Sequence, residues 1–261
     1  RDDTSSAIFR ALAVAMGAVH GVHLKYAAMS AMCTTGAVYH GREPDSTHLV
    51  LGLLWYAALV HALITALFVM RRGEWVLGKR QDGTVPYWSL VVWAAFHAPT
   101  WLYTYVHTAA SKVPVASEVH PGWWIGGRYA NRLGHGKWAC TIDLTVEFPE
   151  ACFGESAQYL LLPCWDGTPP SVQGMERAAR LAAECHQRGD IMVHCAHGRG
   201  RSTCVMVACL VRAGEFANWR DAFESVRRER KGVKLNSKMT RRLDEWAATF
   251  QAGGTTRPPR A

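Results

Sequence analysis

Residues 193–202 read VHCAHGRGRS. They follow a short apolar run, Ile191-Met192-Val193, and lead into RSTCVMVACLVRA (201–213), a largely apolar helical stretch, so the segment is a strand-loop-helix junction. A turn from a strand into a helix aims several backbone N–H groups at one point and adds the positive end of the helix dipole. Such a loop is an anion cradle. Gly198 and Gly200 let the backbone close around a tetrahedral oxyanion without Cβ clashes, Ala196, His197 and Arg199 complete the loop, and Arg201 offers a planar fork to two oxygens. Cys195 falls at the base of the bowl, where amides, dipole and Arg201 all favour a thiolate nucleophile. The chemistry implied is attack on phosphorus.

The surrounding pattern alternates short apolar runs with amphipathic helices, which is α/β order. Trp123–Ile125, Thr141–Val146, Tyr159–Pro163 and Ile191–His194 are strand candidates. A helix is expected from Ser171, with Val172, Met175, Ala179, Ala182 and Cys185 on one face and Gly189 as its stop. Two further helices turn Trp219, Phe223 and Val226, then Met239, Leu243, Trp246 and Phe250, inward. Residues 251–261 read as a disordered tail and 111–121 (SKVPVASEVHP) as a linker.

Residues 1–110 carry only eight Lys/Arg and six Asp/Glu, against twenty-one and fifteen in residues 111–261. The uncharged stretch HLVLGLLWYAALVHALITALFVM (48–70) is long enough to cross a bilayer. Residues 86–110 also lack charge, and their tryptophans and tyrosines suit a membrane interface, with Pro99 kinking the helix. A third apolar stretch, 11–32, contains His20, His23 and Lys25, which leaves its spanning open. The expectation is two or three transmembrane helices in residues 1–110, followed by a catalytic domain over 122–250. The chain opens on Arg1, so further residues are expected upstream.

His194-Cys195, five residues, Arg201-Ser202 resembles the HCX5R[ST] signature of the protein tyrosine phosphatase superfamily, and most of all its dual-specificity branch. WIGGR (124–128) and TIDLTVEFP (141–149) are similar to early strands of compact dual-specificity and phospholipid-phosphatase members. The resemblance extends over 119–250 and implies a central sheet flanked by helices and a cysteinyl-phosphate intermediate. It also implies an Asp on a mobile loop about thirty residues before the Cys, which protonates the leaving group. Asp166, in LLPCWDGTPP, lies twenty-nine residues before Cys195 among loop-forming Gly167, Pro169 and Pro170. Asp143, mid-strand, and Asp190, in a tight turn, compete poorly. By the same analogy Ser202 assists hydrolysis of the intermediate and His194 helps set the thiol pKa.

Two other functions fit parts of the pattern. A rhodanese-like sulfurtransferase also carries Cys at a helix N-terminus, but Arg201-Ser202 and Asp166 argue against it. A catalytically inactive phosphate-binding module would not need Cys195, Arg201 and Asp166 together. The eight cysteines form no metal-type spacing or disulfide framework, so no metal or cofactor is expected and a reducing compartment, cytosol or organelle interior, fits. The basic excess comes without a nucleic-acid motif. Phosphorylated lipid and phosphoprotein remain the candidate substrates, and rim residues His197 and Arg199 would suit anionic headgroups. Sidedness is contradictory. Arg71, Arg72, Lys79 and Arg80, against Glu74 and Asp82, place the 71–85 loop in the cytoplasm. One more span to Ala110 would then put the thiolate enzyme outside.

Overall fold

The structure, a computed structural model, describes residues 22–70 and 72–251. These divide into two compact units, one of residues 22–73 and 87–101, the other of 74–86 and 102–251. In the first, α1 (Val22–His40) and α2 (His48–Met70) pack side by side, with Ser30 Oγ donating to the Ala58 carbonyl at 2.9 Å. The same unit contains α3 (Tyr87–Val92) and the start of α4 (Ala94–Ala110). Among the described residues α2 alone is long and apolar enough to cross a membrane. Segment 86–110, expected as one helix, is broken at Trp93, and residues 11–21 of the expected 11–32 span lie outside the described residues.

The second unit is built on a five-stranded sheet in the order β1-β2-β5-β3-β4. The strands are β1 (Ala116–His120), β2 (Trp123–Gly126), β3 (Cys140–Thr145), β4 (Tyr159–Cys164) and β5 (Ile191–His194). Only β1 runs antiparallel to its neighbour. Parallel strands covered on both faces need continuous apolar runs, and β3 and β5 are buried at every position. Strand β1 corrects the reading of 111–121 as a linker. With a partner on one side only, it needs few apolar residues, Ala116 and Val119 being the buried ones.

The helices are α5 (Val172–His186), α6 (Arg201–Ala213), α7 (Trp219–Glu229) and α8 (Ser237–Phe250). The starts of α5, α7 and α8 have a local cause. Ser171 accepts from Gly174 N, Asn218 from Arg220 N and Asp221 N, and Asn236 from Met239 N, and such caps stabilise a helix by about 1 kcal/mol each. Helix α6 is buried from Arg201 to Val211 and ends on Gly214 in the left-handed region (φ 86°). Ile142, Val193, Val205, Leu210, Met239 and Trp246 meet in one core, where full burial of each aliphatic side chain contributes about 1.5–3 kcal/mol. The central helix is therefore held rigidly. Its N-terminus, where the quoted loop ends, is held with it. Residues 252–261 of the expected tail lie outside the described residues.

Candidate active site

The loop 195–200 leaves β5 and enters α6, and WIGGR, the end of β2 and the turn after it, packs against its outer side. Arg128 N donates to the Ala196 carbonyl (3.0 Å) and Cys195 N to the Gly126 carbonyl (3.3 Å). Gly198 has φ 66°, and a Cβ there would sit 2.7 Å from Gly126 backbone atoms, so this position requires glycine both for conformation and for space. Arg230, from the end of α7, closes the other side by donating to the carbonyls of Gly198 (2.8 Å) and His197 (3.3 Å). Carbonyls that would otherwise point at an anion are thus tied outward.

Cys195 is buried at the base, with Ser202 Oγ 3.4 Å from its Sγ. Burial by itself would raise the thiol pKa, but Arg201, the Ser202 hydroxyl and backbone N–H groups of the loop bring it below the ordinary value. A thiolate is the nucleophilic form of sulfur. His194 is paired with acids, its Nε2 lying 2.6 Å from Glu150 Oε2 and 3.8 Å from Asp143 Oδ1.

Arg201 is 1 % exposed, and most of its donors are committed. Nη1 donates to the carbonyls of Leu144 (3.1 Å) and Cys164 (2.8 Å) and to Glu147 Oε2 (3.2 Å), while Nη2 donates to Glu147 Oε1 (2.6 Å). Nη2 also lies 3.4 Å from Asp166 Oδ1, and Nε is buried without a hydrogen-bond partner. The expected two-pronged grip therefore belongs to the Nε and Nη2 edge, with Nη1 serving as an anchor. Glu147 is absent from the sequence reading, yet it fixes this guanidinium. The signal was an acidic residue at the end of an apolar strand run, a charge that cannot be buried alone.

Asp166 follows β4, with its side chain 45 % exposed, on a loop braced from the last helix. Asn236 Nδ2 donates to the Gly167 carbonyl (2.8 Å) and Arg242 to the Pro170 carbonyl (3.0 Å). The other candidate acids are engaged elsewhere. Asp190 accepts from His135 (2.7 Å) and Trp124 (3.2 Å), and Asp143 is fully buried in an ion pair with Lys79.

That ion pair belongs to a charge cluster behind the loop. Lys79 Nζ also donates to Thr145 Oγ1 (2.8 Å) and to its carbonyl (3.1 Å). Asp143, Glu150 and His194 offer ligand-type atoms within 4.8 Å of one another, a set that could hold a metal, but the Lys79 ammonium already sits on Asp143. Burial disfavours charge on both Asp143 and His194. It is overcome at Asp143 by Lys79, then His194, which hold the carboxyl well below the usual range. At His194 it is overcome by Glu150, then Asp143, which raise the imidazole to about 9.

The consequence for stability has a definite sign. A raised His194 stabilises the fold fully below its ordinary value of 6.5, and this contribution is lost as pH rises through about 9. The depressed Asp143 contributes above its ordinary 3.8 and loses that contribution as pH falls. Urea unfolding between pH 6.5 and 9.5 should show stability declining by on the order of 3 kcal/mol, and Glu150→Gln should flatten the decline. A parent chain equally stable at both ends of this range would contradict the assignment.

At the rim, burial lowers His197 to about 4, so it is a neutral imidazole at neutral pH rather than a second positive charge. Its ring lies 4.5 Å from that of His107 and 5.9 Å from that of Tyr103. Arg199 lies 3.5 Å from both His107 Nε2 and Ser111 Oγ. His107, Ser111, His197 and Arg199, with Tyr129 and Arg230, line a small recess beside the loop. Among the described residues, neither Arg199 nor Arg230 forms an ion pair with a carboxylate.

Residues 139–249 match the family model "Dual specificity phosphatase, catalytic domain". The chain carries a dual-specificity-type phosphatase domain. No curated protein sequence matches the chain. Similar solved structures include human DUSP28 (22 % identity, TM-score 0.44, covering 53 % of this chain and 96 % of that one). Tk-PTP in its active form is 23 % identical (TM-score 0.46, 52 % and 99 % covered). PTPMT1 in complex with PI(5)P is 15 % identical (TM-score 0.45, 53 % and 98 % covered).

Proposed function

We propose that this chain is a membrane-anchored Cys-dependent phosphatase that cleaves phosphate monoesters through a cysteinyl-phosphate, acting on phosphorylated membrane lipids in preference to phosphoproteins. The observation that carries the reaction is the Arg201 guanidinium, anchored by Glu147 and two carbonyls, with Nε uncommitted over a loop whose Cys195 thiol has a depressed pKa. Cys195 Sγ attacks phosphorus, the S–P bond forms as the ester P–O bond breaks, and Asp166 gives its proton to the leaving oxygen. Asp166 then takes a proton from water as that water attacks phosphorus and the S–P bond breaks. Ser202, hydrogen-bonded to the sulfur, stabilises the departing thiolate. Loop amides 196–201 and Arg201 hold the three equatorial oxygens, whose charge grows in the transition state.

Anchoring is supported by α2, twenty-three residues without a charge and with Leu49, Leu53, Leu59 and Val69 exposed. A reducing side, cytosol or organelle interior, is supported by the need to keep the Cys195 nucleophile from oxidation. Lipid preference is supported by the excess of Lys/Arg over Asp/Glu in residues 111–261 and by Arg199 at the rim of the loop, which favour anionic headgroups. Comparing kcat/KM of the full chain on vesicles bearing phosphatidylglycerophosphate or a phosphoinositide with that on phosphotyrosine and phosphoserine peptides tests the substrate. Faster turnover of the lipids is expected. Faster turnover of peptides, with lipids near background, would make the substrate a phosphoprotein.

A further inference from the structure

We infer that residues 87–110 do not cross the bilayer but enter it and return to the same face, so that the 71–86 connector and the phosphatase domain lie on one side. This inference rests on the membrane-anchored reading. Its evidence begins with residues 74–86, which directly follow α2 in sequence yet belong to the phosphatase unit. Leu77 and Lys79 are buried there, with the Lys79 ammonium on Asp143 of β3. Gly83 accepts from Glu150 N at 2.9 Å, and a Cβ on Gly83 would lie 2.4 Å from that of Glu150. The connector is part of the domain's interior.

At the far end, residues 102–110 belong to the same unit, where Tyr103 and His107 meet His197 and Arg199 of the catalytic loop. A folded domain with buried ion pairs cannot straddle a bilayer, so both ends of the excursion share a face and it makes an even number of crossings. Two crossings need roughly 40 residues, and residues 87–110 provide twenty-four. The number is therefore zero.

The local geometry agrees. Ser89 Oγ and His97 Nε2 are 3.3 Å apart, whereas eight residues of straight helix span about 12 Å, so α3 and α4 meet at a sharp bend. Bending frees backbone groups that lipid cannot satisfy. The Tyr56 hydroxyl of α2 lies 3.0 Å from the carbonyls of Val91 and Val92 and 3.5 Å from Ala95 N, so the phenol serves the broken ladder. Tyr56 stands fourteen residues before the end of α2, so this contact falls within its apolar run and away from its ends. The sidedness conflict then disappears. Arg72 and Arg80 of the connector and the thiolate of Cys195 occupy the same, cytoplasmic or equivalent reducing, face.

The test uses the full chain in sealed, oriented membrane vesicles, with Gln81→Cys in the connector or Lys238→Cys on α8, both exposed positions. Each is exposed to a membrane-impermeant maleimide and compared with the parent chain. The expected result is that both reporters react in the same vesicle orientation and both are shielded in the opposite one. Reaction from opposite faces, in a chain that stays with the membrane after alkaline carbonate, overturns the inference while leaving anchoring intact. Release of the chain by carbonate overturns the anchored reading and the inference with it.

Discussion

Cys195→Ser should abolish turnover of every phosphate monoester, a loss of roughly 10⁴-fold or more, while leaving affinity for a phosphate mimic such as tungstate largely unchanged. The cradle consists of backbone amides fixed by Arg128, Gly126 and Arg230 together with Arg201 held by Glu147, and none of these depends on the sulfur. What is lost is a nucleophile whose thiol pKa Arg201 and Ser202 lower despite burial. A serine hydroxyl in the same place stays protonated and attacks poorly. The measurement pairs steady-state turnover with inhibitor binding to the same variant. Loss of both together would indicate a collapsed loop, and retention of turnover would remove Cys195 from the mechanism.

Arg201→Lys should be almost as damaging, with kcat/KM falling roughly 10²–10³-fold through lost transition-state charge stabilisation. An ammonium cannot reach Leu144 O, Cys164 O and both Glu147 oxygens while also meeting a phosphoryl group, because it lacks the planar fork. It would also leave Glu147 buried with a poorly placed partner, and breaking such a pair costs about 3–5 kcal/mol. Glu147→Gln separates the two effects. It keeps the volume and one acceptor but frees the guanidinium to swing, so kcat should fall more than KM rises. Full activity of Glu147→Gln would show that the ion pair plays no part in positioning Arg201.

The catalytic loop was legible because its chemistry is contiguous. Cys195, the glycines, Arg201 and Ser202 lie within eight residues, and strand and helix periodicity on either side fixes their mutual geometry. Asp166 could be found from its distance to Cys195 and its turn-forming neighbours. Partners brought in from afar could not. Glu147 and Glu150 announce themselves only as acids beside an apolar strand, a pattern that demands cations without naming them. Lys79 supplies one of those cations from sixty-four residues upstream of Asp143. Hydropathy windows score its segment as a charged loop between two apolar stretches, which hides its place inside the phosphatase core. The same windows read residues 86–110 as one apolar stretch because they count charge and length but cannot see the helix break at Trp93. Strand β1 escaped for a simpler reason: paired along one edge only, it alternates Ser117 and Glu118 with few apolar residues.

The central claim is that phosphate passes through Cys195. In Asp166→Asn the loop and nucleophile remain, but the base that activates water is gone, so hydrolysis of the intermediate should slow more than its formation from an activated aryl phosphate. Acid quench of this variant during turnover, followed by peptide mass analysis, should find the 195-containing peptide heavier by one phosphoryl group, with the adduct absent in Cys195→Ser. Turnover of the same substrate with Cys195 unmodified throughout, or with the phosphoryl group on another residue, would contradict the account.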